Sequence, residues 1–149
     1  MIEVVRAACD GDIVALEALQ HEARAGLAVV RGGRALLDEV PAADWSAVLA
    51  DPHHAVFAAT IDDVVVGYLQ LTRREDIAEV RQVFVDPGAR EIGFGDWLIE
   101  AATEAALAWG CLRIEGRALP GDRHTKNLFE RAGITARKIT VSRDLHDRG

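Results

Sequence analysis

One stretch constrains this chain more than any other: Val83-Phe84-Val85-Asp86-Pro87-Gly88-Ala89-Arg90-Glu91-Ile92-Gly93-Phe94-Gly95-Asp96. β-favouring residues run into Asp-Pro-Gly, whose turn chemistry ends a strand. Two glycines one residue apart then stand where a long amphipathic pattern begins. A strand delivered through a tight turn into a helix leaves the helix's first N–H groups without internal acceptors, at the positive end of its macrodipole. Glycines there let an anion come close to the backbone. Arg90 adds a fork-shaped cation suited to phosphate oxygens. Asp86 and Pro87 are explained as turn formers. No Gly-Lys-Ser/Thr follows, and there is no third glycine with a well-spaced acidic residue, so neither a P-loop nor a dinucleotide fingerprint is present.

The remaining elements fall on either side of this turn. Ile2 to Ala7 reads as a strand. Asp10 or Asp12 caps a helix with Ile13, Leu16, Leu19 and Ala23 at helical spacing, ending near Ala25. Gly26 to Gly33 reads as loose chain, and Pro41 starts a second, short helix bearing Trp45, Val48 and Leu49 before Asp51-Pro52 stops it. Ala55 to Ile61 and Val64 to Leu71 form a hairpin about Asp62-Asp63, and Ile77 to Val85 is the next strand. The helix from Phe94 to Trp109 buries Leu98, Ala101, Ala105 and Trp109, leaves Glu100 and Glu104 in water, and closes at Gly110. A strand from Leu112 to Ala118, a helix from Asp122 to Ala132 stopped by Gly133, and a strand from Ala136 to Ser142 with Ile139 and Val141 on one face complete the order. The sequence predicts one α/β domain over residues 1–149, with a mixed, mainly antiparallel central sheet and about four helices on its two faces.

Composition narrows the partners. The chain has 149 residues and a formal charge of −7, which argues against nucleic acid, since neutralising phosphates needs clustered Lys and Arg. The same charge mildly attracts a cationic substrate. No apolar run is long enough to cross a membrane. The N-terminal residues lack a signal-peptide pattern, and Cys9 and Cys111 form no CxxC pair, so the expected setting is the cytoplasm. The five histidines and two cysteines show no ligand spacing, and no metal is expected.

The turn resembles the phosphate-binding signature of the GNAT superfamily of N-acetyltransferases, Arg/Gln-x-x-Gly-x-Gly/Ala, matched by Arg90, Gly93 and Gly95 after Val85-Asp86-Pro87. A second segment, Lys126-Asn127-Leu128-Phe129-Glu130-Arg131-Ala132-Gly133-Ile134, is similar to the family's closing helix. The element order agrees from Ile2 to about Leu145. The resemblance implies that acetyl-CoA lies where two central strands splay apart. Its pantetheine would pair with Val83, Phe84 and Val85, and its pyrophosphate with the N–H groups of Arg90, Glu91, Ile92, Gly93, Phe94, Gly95 and Asp96. Lys126 would reach the adenosine end, and Phe129 would line the cofactor site. Two positions depart from the pattern: Glu91 stands where glycine is usual, and Phe129 where the family often has a proton-donating tyrosine.

Transfer to an amine requires removal of a proton, because an unperturbed lysine-like amine has a pKa of about 10.4. Glu79, on the strand leading to the cradle, is the candidate base; Arg81, two residues on and on the same face, competes as a structural partner. Tyr68 or His124 could replace the missing tyrosine. A thiol pKa of about 8.5 also lets CoA depart as thiolate with little help. Arg31-Gly32-Gly33 is expected to be a mobile loop beside the acceptor. The reading is a transfer of acetyl from acetyl-CoA to an amine of a small molecule or peptide by direct aminolysis. The alternatives are a non-catalytic acyl-CoA sensor or interaction domain and an enzyme for longer acyl-CoAs. A homodimer is the assembly to test for.

Overall fold

The computed structural model describes residues 1–118, 122–141, 143 and 145. The elements run β1 (Glu3–Ala7), α1 (Ile13–Ala28, entered through a 3-10 turn at Asp10–Asp12), α2 (Gly33–Glu39), α3 (Trp45–Ala50), β2 (His54–Ile61), β3 (Val64–Arg74), β4 (Ile77–Val85), a 3-10 turn (Pro87–Ile92), α4 (Phe94–Ala108), β5 (Arg113–Gly116) and α5 (Arg123–Arg131). The sheet order is β1-β2-β3-β4-β5. β1 to β4 pair antiparallel and β5 pairs parallel to β4.

Two apolar clusters cover the two faces of the sheet. One packs Leu69, Leu71, Ala78, Val80 and Val85 under Phe94, Leu98, Ile99, Ala102 and Ala106 of α4 and Leu128 and Phe129 of α5. The other packs Val56 and Tyr68 under Leu16 and Leu19 of α1 and Trp45 of α3. The buried stripe of α4 is therefore rotated from the expected one: Ala102 and Ala106 are buried, while Ala101, Ala105 and Trp109 are half-buried. Phe94 is fully buried and anchors the stripe one residue out of the expected phase.

Several details differ from the sequence reading. Gly26 to Gly33 is not loose: α1 continues to Ala28, Gly32 takes φ +82° and α2 starts at once. A side chain at Gly33 would overlap the Leu27 carbonyl, so the two glycines make a tight helix–helix turn rather than a mobile loop. α3 begins at Trp45, capped by the Asp44 carboxylate, which accepts from the Ala47 N–H at 3.3 Å, so Pro41 lies outside it. Asp12 occupies the N-cap position of α1, but its carboxylate turns back to accept the Cys9 N–H at 2.8 Å and the Arg6 guanidinium at 2.7 and 2.9 Å.

The Asp62-Asp63 turn holds both residues at positive φ, +48° and +68°, the conformation that a two-residue hairpin requires. Gly110 and Gly133, each at φ +78°, end their helices as expected. The fifth strand is shorter than predicted, and Leu112 is exposed. The predicted last strand does not form over 136–141, and Ser142 lies outside the described residues. Ile139 and Val141 stand exposed because no strand among the described residues offers them a ladder or an apolar face, and alternation alone does not make a strand.

Candidate active site

The site grows from an irregularity in β4. In its register with β3, Gln70 opposes Gln82 but Leu71 opposes Val80, so Arg81 is an extra residue, a β-bulge. The parallel ladder between β4 and β5 runs from Ile77↔Arg113 to Val80↔Gly116 and stops there. β4 continues to Val85 with no strand on that side among the described residues, and the two strands part like a fork.

Hydrogen-bond parity shows what the fork exposes. The Asp86 N–H donates to the Val66 carbonyl at 2.8 Å. Counting back by twos turns the backbone of Phe84 toward β3 and that of Val83 and Val85 toward the open edge. The Phe84 side chain packs into the α1–α3 cluster, so Phe84, expected to pair with the pantetheine, offers the open edge neither its side chain nor its N–H and C=O groups. The Val85 carbonyl accepts from Arg90 Nε at 3.0 Å, and the Arg90 guanidinium lies 5.7 Å from the Phe84 ring centroid. Arg90 is thereby fixed at the mouth of the fork instead of reaching freely into solvent.

The 3-10 turn delivers the chain to α4. Asp86 accepts the Gly88 N–H at 2.9 Å and fixes its start. Gly93 caps α4 at φ +91°, and a side chain there would meet only open space. No side chain caps the N-terminus of α4, which leaves its first N–H groups available to an anion. Gly95 has a packing role beside the one expected of it. It is buried, and a Cβ there would come within 3.2 Å of Leu128, so its smallness lets α5 pack on α4. Asp96 is held by Arg131 at 3.0 Å. Glu91 and Ile92 are exposed, and Glu91 forms no ion pair among the described residues.

α5 closes the fork. Phe129 is buried with its ring tip against the backbone of Gly116, where a Cβ would overlap it, at the last rung before β4 and β5 separate. The ring therefore wedges the fork, and a tyrosine hydroxyl on that tip would meet the β5 backbone. Lys126 is exposed one turn earlier. His124, near the start of the same helix, has its pKa lowered by burial and by the nearby charge of Arg90. That neighbourhood links His124 and Arg131 to the cradle. No local pattern signals it, because the electrostatic influence crosses from α5 to the turn before α4.

Glu79 lies one rung before the fork. Its carboxylate sits 3.8 Å from Arg74 and 3.9 Å from Arg81, and its side chain is only 16% exposed. The pairing with Arg81 forms as expected, through the bulge rather than through simple alternation. Tyr68 is fully buried against Trp45 at 5.4 Å and donates to Gln82 Oε1 at 2.7 Å. Burial pushes its phenol up, which makes it a core hydrogen-bond donor rather than a readily ionised acid.

The comparisons agree with this architecture. The acetyltransferase (GNAT) family matches residues 16–134. A search of curated proteins finds no match. Among solved structures, an aminoglycoside N-acetyltransferase AAC(6')-Iy in complex with CoA superposes with a TM-score of 0.73 at 17% identity, over 95% of this chain and 98% of that one. An acetyltransferase of Trypanosoma brucei gives 0.67 at 18%, over 97% and 100%. The aminoglycoside 6'-N-acetyltransferase AAC(6')-Ih of Acinetobacter baumannii gives 0.67 at 14%, over 97% and 99%. These likenesses show the fold, and the family match spans most of the chain. The protein belongs to the GNAT acetyltransferase family and is an acyltransferase.

Proposed function

We propose that the protein, acting as one domain, transfers the acetyl group of acetyl-CoA to an amine by direct aminolysis. The observation that carries this reading is the free edge of β4, which runs from the fork at Val80 to the uncapped N-terminus of α4. The pantetheine arm fits the edge at Val83 and Val85 as an added strand. The pyrophosphate fits the N–H groups of the Arg90–Asp96 segment beside Arg90, with Lys126 toward the adenosine. Glu91, exposed, turns its charge to water. Phe129 borders the thioester as an apolar wall and supplies no proton.

In the step proposed here the amine nitrogen forms the bond to the acetyl carbon, the carbon–sulfur bond breaks, and CoA departs as thiolate. Glu79 takes the first proton of the ammonium, directly or through a water, and the second, shed from nitrogen as the amide forms, passes through water to the departing thiolate. Backbone N–H groups on the free edge of β4 polarise the carbonyl.

The test is release of free thiol from acetyl-CoA with a panel of amines. Aminoglycosides head the panel because several structural neighbours bear that name; polyamines, amino acids and peptide N-termini follow. Glu79→Gln should lower kcat by about 10²–10⁴-fold at neutral pH, the range of general base catalysis. Its CoA affinity should be unchanged, and the deficit should shrink as pH approaches the amine pKa of about 10.4. A near-normal kcat at neutral pH would return Glu79 to a purely structural pairing with its two arginines.

A further inference from the structure

A network of amides, Gln20 and Gln70 buried and Gln82 half-buried, adjoins the bulge, and the cradle and the base leave it unexplained. On the α1–α3 face of the sheet, cross-strand register aligns His54, Thr72 and Glu79 in one row, Val56, Gln70 and Gln82 in the next, and Ala58, Tyr68 and Phe84 in the third. Because Arg81 is an extra residue, Glu79 and Gln82 face the same side although three positions apart. Gln82 stands at the centre of a continuous network. Its Oε1 accepts from the Tyr68 hydroxyl at 2.7 Å. Its Nε2 donates to Gln20 Oε1 at 2.8 Å and to Gln70 Oε1 at 2.9 Å.

Each branch is anchored in turn. Gln20 Oε1 also accepts the Ala43 N–H at 2.9 Å, joining α1 to the loop before α3. Gln70 Nε2 meets His54 Nδ1 at 3.3 Å, which Thr72 Oγ1 reaches at 3.2 Å, while His54 Nε2 lies 3.6 Å from Asp51. Gln20 and Gln70 are only 6% and 4% exposed. Apolar residues would fill this space without needing partners, and a buried network of amides tolerates one arrangement only. That selectivity suits a device that fixes geometry.

We propose that Gln82 is a positioning residue that holds the bulge at Arg81, and so sets the alignment of Glu79 with the fork. The proposal rests on the acetyl-transfer reading above. Gln82 follows the extra residue directly, and its three side-chain bonds tie β4 to β3 and α1 at the place where β4 leaves β5. Without them the bulge can slide along the strand, which would exchange the faces of every residue it passes. Glu79 would then lose its register with the open edge, whereas the cradle at Gly93 to Asp96, fixed by α4, would stay.

The experiment uses Gln82→Met, close in volume and unable to hydrogen-bond, with the wild-type chain and an amine that it turns over. For Gln82→Met, kcat should fall by about 10–100-fold, the cost of a misplacement of order 1 Å, with the Kd for CoA held within about threefold. Amide exchange across Arg81–Val85 should quicken in the same variant. Tyr68→Phe, which removes only the hydroxyl donated to Gln82, should show the same split to a smaller degree, and it decides the matter where Gln82→Met fails to fold. A normal kcat per folded molecule, even with a lowered Tm, overturns the proposal. So does a loss of CoA affinity in step with kcat, which would assign Gln82 to the cradle. A wild-type chain that binds no acetyl-CoA would instead overturn the acetyl-transfer reading on which the proposal stands.

Discussion

At the scale of single residues, the strongest electrostatic feature lies away from the fork. The Arg6 guanidinium donates two hydrogen bonds to Asp12 and, with the Cys9 N–H, holds its carboxyl at a pKa of about 2 despite burial, which acts the other way. The folded value lies below the ordinary 3.8, so the ionised form is what folding favours. The contribution is complete above about pH 4 and disappears as pH falls through about 2. A depression of this size is worth about 2 kcal/mol. Asp12→Asn should therefore lower urea-unfolding stability by about that amount at pH 7, with the gap to wild type narrowing between pH 4 and pH 2.5. A gap that stays constant would mean the pair contributes through packing alone. Of these residues the sequence made Asp12 legible only as a helix cap, because its partners lie on β1 and in the turn, beyond local spacing. The same limit applies to Gly95, whose neighbour Leu128 belongs to another helix, and to the bulge, since a period of two cannot reveal an inserted residue.

At the scale of elements, α5 clamps the site by two close contacts, Leu128 on Gly95 and Phe129 on Gly116. Gly116 is a glycine of proximity: its φ is ordinary, and what it lacks is room for a Cβ. Gly116→Ala should cost about 1–3 kcal/mol by overpacking, and pairing it with Phe129→Leu should recover part of that loss, a coupling expected of residues in contact. Additive losses in the double variant would show that the two do not press on one another. The elements legible in the sequence were those with strong local grammar: the β2–β3 hairpin at Asp62-Asp63, the strand–turn–helix around Asp86-Pro87, and the helices stopped by Gly110 and Gly133. α2 was not legible, because Gly32-Gly33 is a signal of flexibility and of a tight turn alike. The strand expected over 136–142 had the alternation of a strand, but pairing is a property of two segments, and no described segment pairs with it.

At the scale of the whole molecule, the two walls of the fork come from separate stretches of chain, Ile77 to Asp96 and Arg113 to Arg131. A four-residue parallel ladder joins them, together with the packing of α5 on α4. A ligand bound as proposed, along β4 and on the N-terminus of α4 in one wall and against Phe129 and Lys126 of α5 in the other, would bridge both walls, so its binding energy would stabilise the junction as well as the site. Anything that binds only the folded state raises stability by mass action, by about 2.7 kcal/mol at a hundredfold excess over Kd. For a chain of this size each kcal/mol moves Tm by about 2–4 °C, so saturating CoA should raise Tm by about 5–10 °C. Gly93→Asp is the control. Aspartate tolerates the left-handed backbone at position 93 better than most residues, the space around it is open, and its carboxylate would face the anion. The variant should fold, with a Tm close to wild type in the absence of ligand, and lose most of the CoA-induced shift. An unchanged shift in Gly93→Asp would mean that CoA meets the protein somewhere other than the N-terminus of α4, and the cradle would have to be sought elsewhere.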